Sequence, residues 1–260
     1  MDGGNPNLPV DWGRYRAVLF DLDGVLTATA KIHAICWKRM FDSFLKRWAA
    51  ERKMSFEPFD SVRDYHEYVD GRLRYDGVRS FLASRGIELP DGSPDDSPER
   101  ETVCGLGNRK DAMVGEILAS ERVDVFEGSI RLVRWLRQQG LATAVVSASK
   151  NCPAVLRAAG IEDLFDQRID GHVASDLGLP GKPAPDTYLK AAELLSVPPA
   201  EAVVVEDAIS GIEAGRNGGF GLVIGVDRQG DAERLAAAGA DIVVRDLVEL
   251  LPESLSQQEA

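Results

Sequence analysis

The chain of 260 residues is 44% hydrophobic and 28% charged, an ordinary globular composition with length for one large domain or two smaller ones. Its formal net charge of −12 sets it against polyanions, so neither nucleic acid nor an anionic membrane is an expected partner. Cys36, Cys104 and Cys152 are far apart with no CxxC spacing, which excludes a disulfide framework or a zinc site; with no apolar leader and no membrane-length run, the expected place is the cytoplasm.

In chain order, residues 1–13 are polar and Gly/Pro-rich and read as a loose lead-in. Ala17–Phe20, in RAVLFDLDG, is an apolar run stopped by acids, the pattern of a short buried strand. Over 29–50 the residues Ile32, Ile35, Cys36, Met40, Phe44, Leu45 and Trp48 recur at helical spacing. Further helical patterns cover 59–69, 75–85 and 109–120. Between the last two, ELPDGSPDDSPERET is rich in Pro, Asp and Ser and reads as a surface loop. No strand pattern occurs in 31–121.

The pattern then changes. A helix over 129–139 ends at Gly140, LATAVVSAS is a strand running into a polar loop, and a helix over 151–159 ends at Gly160. A helix over 185–195 precedes the strand Ala202–Glu206. The helix Ile209–Asn217, the strand over 221–226, the helix Ala232–Ala238 and the strand ADIVV follow. Alternating helices and near-continuous apolar strands predict a parallel sheet covered on both faces. The expected class is α/β: a Rossmann-like parallel-sheet core over 14–30 and 122–252, interrupted by an all-helical insertion over 31–121, with 1–13 and 253–260 as flexible termini.

In open parallel sheets ligands bind beyond the carboxyl ends of the strands. Asp21 and Asp23 follow the first strand one residue apart, where like charges raise each other's pKa unless something positive lies near. Ser147, Ser149, Lys150 and Asn151 follow LATAVV, Glu206 and Asp207 follow AVVV, and Lys182 lies in the loop before the helix at 185. Carboxylates on separate loops, joined by a backbone carbonyl, suit Mg²⁺. One carboxylate can attack phosphorus and a second can move the proton. A lysine and a hydroxyl can hold the equatorial oxygens of a transferring phosphoryl group.

FDLDGVLT, VVSAS, GKPAPD and VVVEDAISGIEAG resemble, in order, the four motifs of the haloacid dehalogenase superfamily of phosphotransferases. The resemblance implies the Rossmann-like core of that superfamily with a helical cap over 31–121. It implies Asp21 as nucleophile, Asp23 as acid and base, and Ser147 and Lys182 on the phosphoryl group. It also implies Asp21, Asp23, Glu206 and Asp207 around Mg²⁺.

Within the superfamily the likeness is to its β-phosphoglucomutase branch, carried by SASKN, GRLR, NRKDA and TATAKIH. That implies substrate contacts from Thr29, His33, Arg74, Lys110, Ser149, Lys150 and Asn151. The implied reaction interconverts β-glucose 1-phosphate and glucose 6-phosphate through an aspartyl phosphate, with cap closure excluding water. A small phosphorylated sugar is the expected partner and a monomer the expected state. Two residues depart from the branch: Asp70 stands where it has a lysine, and Asp111 where it has an asparagine. A sugar-phosphate phosphatase on the same scaffold is the competing reading, and a non-catalytic phospho-sugar module a remote one. Taken singly, Asp21 and Asp23 could form a solvated turn, His33 a core residue, Lys150 part of a first helical turn, and Arg74 and Lys110 solvated charges. The three cysteines read as structural.

Overall fold

The structure is a computed structural model describing residues 10–120, 123–228, 230–252 and 255. The chain divides into two compact units, Met1–Ala28 with Asp124–Ala260, and Thr29–Val123.

The first unit is built on six parallel strands: β1 (Ala17–Phe20), β2 (Ala142–Val146), β3 (Gln167–Ile169), β4 (Ala202–Glu206), β5 (Leu222–Val226) and β6 (Ile242–Val244), in the order β3-β2-β1-β4-β5-β6. β1 is central, pairing Ala17 with Ala142 on one side and with Ala202 on the other. All four of its side chains are buried, and β4 is buried throughout. That double-sided burial is why these strands read as apolar runs without alternation. One face packs Ala17, Leu19, Ala144, Val146, Ala202 and Val204 against Tyr188, Ala191 and Ala192 of a helix spanning Asp186–Leu194.

The second unit holds α1 (Ala30–Arg52), α2 (Arg74–Ser84) and α3 (Val103–Ser120). Its core is aromatic. Phe41 stacks on Trp37 at 5.3 Å and on Phe59 at 5.2 Å, and meets Phe81 at 4.1 Å. Such pairs add about 0.5–1.5 kcal/mol each beyond the area they bury. The remaining helices of the sheet unit are α4 (Glu127–Gln138), α5 (Cys152–Ala159), α6 (Gly171–Asp176), α7 (Asp186–Leu194), α8 (Ile209–Asn217) and α9 (Ala232–Ala238).

Three expectations need correction. The loose lead-in does not reach residue 10: Val10 and Trp12 are buried, and Trp12 packs edge-on against Trp135 at 6.4 Å. An indole so placed buries too much apolar area to stay in solvent. The expected flexible ends at 1–9, 253–254 and 256–260 lie outside the described residues. The helix expected over 59–69 starts later and widens: the Asp60 carboxylate caps it, taking the amides of Val62 (2.9 Å) and Arg63 (2.8 Å), the Asp60 carbonyl takes the amides of Asp64 (3.1 Å) and Tyr65 (3.2 Å), and Tyr65–Val69 is π-helical. The helix expected over 109–120 starts earlier, at Val103, where the Thr102 hydroxyl accepts the Gly105 amide at 2.9 Å.

Candidate active site

The acids of FDLDG sit where β1 ends. Asp21 is buried, its amide bonded to the Val205 carbonyl at 3.0 Å, so the strand pairing itself fixes where its carboxylate begins. From the next loop, Lys182 is buried beside it with Nζ 2.5 Å from Asp21 Oδ1, 2.5 Å from Glu206 Oε1 and 3.2 Å from the Val146 carbonyl. The Lys182–Pro183 peptide is cis. Glu206 closes β4 with no exposed surface. Its other oxygen accepts the amides of Asp207 and Ala208, both at 3.1 Å. Carboxylate atoms of Asp21, Glu206 and Asp207 all lie within 4.8 Å of one another. Two of these acids, Asp21 and Glu206, thus share one lysine, and the third, Asp207, lies beside them.

The electrostatics follow. Burial pushes the Asp21 carboxyl well above the usual range, and Glu206 and Asp23 push it further, against the pull of Lys182. Burial alone would discharge Lys182, but Asp21 and Glu206 carry its ammonium well above its ordinary value. An all-oxygen donor set with more negative charge than one lysine offsets fits a hard divalent cation. Asp21, Glu206 and Asp207 form that set. The Asp23 carboxylate, expected among the ligands, is not one of the three, and Asp23 sits half-buried in the turn where it bridges Thr27.

That turn is held closely. Gly24 has φ +92°, and a Cβ on it would lie 1.8 Å from Asp207 Oδ2. Gly24→Ala is therefore expected to push the Asp21–Asp23 loop from Asp207. A misplacement of about 1 Å costs about 100-fold in rate. Steady-state kinetics beside a thermal melt would check it, and wild-type kinetics would sink the argument.

Ser147 is buried at the end of β2, its hydroxyl accepting the Ser149 amide at 3.1 Å. The Ser149 hydroxyl accepts the Asn151 amide at 3.1 Å, so side-chain turns fold this loop back on itself. Lys150, between them, is half-buried.

The remaining expected residues belong to the helical unit. His33 on α1 and Lys110 on α3 are both buried, with Lys110 Nζ 2.5 Å from His33 Nδ1 and 5.0 Å from the Trp37 ring centroid. Thr29 is buried just before α1. Arg74 opens α2, where a cation opposes the helix dipole; Asp111 compensates, its Oδ2 lying 2.6 Å from Arg74 Nη1. Asp70, the other departure, lies 3.1 Å from His66 Nδ1. Both acids therefore engage side chains of their own unit.

The sequence pattern of this arrangement is shared. A family model described as haloacid dehalogenase-like hydrolase matches residues 15–219. The chain belongs to the haloacid dehalogenase-like hydrolase family. Over 241 residues it is 52% identical to a β-phosphoglucomutase of Mycobacterium bovis, covering 92% of each chain. Over 243 residues it is 32% identical to a β-phosphoglucomutase of Bacillus subtilis, covering 94% of this chain and 95% of that one. A crystal structure of β-phosphoglucomutase from Clostridium difficile matches with a TM-score of 0.71 at 25% identity, over 92% of this chain and 94% of that one.

Beyond the haloacid dehalogenase motifs, the structure adds side chains the sequence reading passed over. Tyr188 donates to Glu206 Oε1 at 2.9 Å and lies under Lys182, 4.9 Å from ring centroid to Nζ. Burial and the Glu206 charge push its phenol well above 10.0, so it stays a donor. It reads as one more apolar position of α7, with no motif to mark it. Arg228 donates to the Gly24 carbonyl at 3.0 Å while lying 3.7 Å over Phe126, and Ser129 donates to the Val25 carbonyl at 2.6 Å. Only the strand order brings β5 and α4 to that turn. Cys152 is buried, and burial, with Asp23 and Asp170, pushes its thiol well up, which disfavours the reactive thiolate.

Proposed function

We propose that the chain is a Mg²⁺-dependent phosphotransferase of the β-phosphoglucomutase type, interconverting β-glucose 1-phosphate and glucose 6-phosphate through a phosphorylated Asp21. The observation that carries this reading is the meeting of Asp21, Glu206 and Asp207 at the ends of neighbouring strands, with Lys182 on the first two. The relatives named β-phosphoglucomutase support the choice within the family.

In the reading, an Asp21 carboxylate oxygen bonds to phosphorus as the phosphorus–oxygen bond to the sugar breaks. Asp23 gives its proton to the leaving sugar oxygen, and in the reverse half takes one from the attacking hydroxyl. Lys182 and the Ser147 hydroxyl hold the transferring oxygens. Asp21, Glu206 and Asp207, with the Asp23 backbone carbonyl, would hold Mg²⁺, which when bound offsets charge on the phosphoryl oxygens. A bisphosphate passing through the site needs a second anion subsite. Ser149, Lys150, Asn151, Arg74 and Lys110 are assigned to it, and Thr29 and His33 to the sugar. The reading includes a small phosphorylated sugar as partner, a monomer, and the cytoplasm.

One observation favours a second reading. Arg74 already pairs with Asp111, and an acid stands at position 70, so the positive charge assigned to the far phosphate is partly offset. That would leave a sugar-phosphate phosphatase. Incubation with Mg²⁺, β-glucose 1-phosphate and a trace of glucose 1,6-bisphosphate decides between them. The mutase reading expects glucose 6-phosphate to form faster than free phosphate. Phosphate release alone would assign the phosphatase.

A further inference from the structure

The Pro/Asp/Ser-rich loop of the helical unit is tied down at its centre. Asp96 is buried and accepts bonds from the Thr102 hydroxyl (2.7 Å), the Ser93 amide (3.1 Å) and Arg100 (2.8 Å). The Asn108 carboxamide donates to the carbonyls of Pro94 at 2.9 Å and Asp96 at 2.8 Å. Its oxygen accepts the Tyr75 hydroxyl at 2.8 Å, and that hydroxyl accepts Arg74 Nη2 at 3.3 Å. The guanidinium carbon also lies 4.9 Å from the Tyr75 ring centroid. A Cβ at Gly107 would come within 2.7 Å of that ring, so the close approach needs glycine there.

Every bond in this row points one way, from guanidinium through phenol and carboxamide to two loop carbonyls. Aligned bonds polarise one another, and each fixes the orientation of the next. On its other side the guanidinium meets Asp111 Oδ2 at 2.6 Å. That approach is an ion pair outside hydrogen-bond geometry, and the buried Nε and Nη1 of Arg74 both have no hydrogen-bond partner among the described residues. A buried donor left so is costly until an oxygen reaches it.

We propose that Tyr75 and Asn108 are positioning residues that set Arg74 for an anionic oxygen, so that loop 93–96 tunes anion affinity without touching the ligand. The proposal rests on the reading of Arg74 as a group that meets the non-reacting phosphate of the substrate. Because that phosphate takes no part in bond making, loss of the row weakens binding of ground state and transition state alike.

The test compares Tyr75→Phe, Asn108→Ala and Arg74→Ala in the full chain, with β-glucose 1-phosphate and a trace of glucose 1,6-bisphosphate. Tyr75→Phe keeps the ring and removes only the hydroxyl. The expected result is KM raised about three- to tenfold in Tyr75→Phe and Asn108→Ala, the worth of one hydrogen bond. Their kcat should stay within about twofold of wild type. The ¹⁵Nε resonance of Arg74, identified by its loss in Arg74→Ala, should shift in both. An unchanged KM in Tyr75→Phe beside a raised one in Arg74→Ala overturns the positioning role and leaves the role of Arg74 standing. A parallel fall in kcat and thermal midpoint assigns the row to stability alone and overturns the proposal. An unchanged KM in Arg74→Ala overturns the underlying reading and the proposal with it.

Discussion

Asp21→Asn is expected to lower turnover by about 10⁴-fold or more, the scale seen when a covalent nucleophile is removed. The substitution keeps shape and volume while removing the charge that, in the proposed reaction, attacks phosphorus. The fold should tolerate it. Asp21 is buried among acids, and burial already penalises its ionised form, so the neutral amide relieves repulsion from Glu206 and Asp23. Lys182 keeps Glu206 as a partner. A thermal midpoint equal to or above wild type should therefore accompany the lost activity. Trapping phosphoryl label on the protein checks the chemistry directly: wild type carries it and Asp21→Asn does not. Label retained on the variant would place the nucleophile elsewhere.

Lys182→Met is expected to act on stability and activity together. Lys182 is 2.5 Å from both Asp21 and Glu206, and all three are buried. Methionine replaces the stem and removes the charge, leaving two carboxylates facing each other with no ammonium. Breaking a buried pair in this way costs about 3–5 kcal/mol. The sign of the pH dependence follows. The Asp21 carboxyl is already held above its ordinary value by burial against the pull of Lys182, and losing that pull raises it further, so the folded state binds more protons. The stability Asp21 contributes is then fully present below its unfolded value and is lost as pH rises through the folded one. Denaturation midpoints taken at pH 5 and pH 8 should show a deficit against wild type that widens at the higher pH. A deficit independent of pH would show that the lysine acts through packing rather than charge.

Much of this was legible because burial leaves a plain mark. β1, β4, α8 and α9 read directly, since their apolar spacing is decided by a sheet buried on both faces. β3 escaped: Gln167–Ile169 is three residues long, lies at the sheet edge and carries polar Gln167 and Arg168. α6 escaped too, six residues held by the Asp170 side chain on the amides of His172 and Val173. Elements so short have no period to detect. The π-helical stretch Tyr65–Val69 is a different case: the helical pattern was right, but its start at the Asp60 cap and its wider winding leave no mark in the apolar spacing. At the site, Asp21, Lys182, Glu206 and Asp207 were visible because motifs announce them. Tyr188, Ser129 and Arg228 were not, because their roles exist only once strand order sets loops side by side. Asp111 was visible only as a departure, and its partner Arg74 gave that departure a physical meaning.

The central place of β1 has a consequence for how the molecule is made. Its four apolar residues are translated before the other strands of the sheet, and both of their ladders come from strands made much later, β2 and β4. Until then Val18, Leu19 and Phe20 carry bare edges, while the Thr29–Val123 unit emerges with an aromatic core of its own. Pairings so distant along the chain are slow to close. During synthesis β1 therefore waits for its partners, and Asp21 and Asp23 set charge directly after its bare apolar run, where charge opposes sticking.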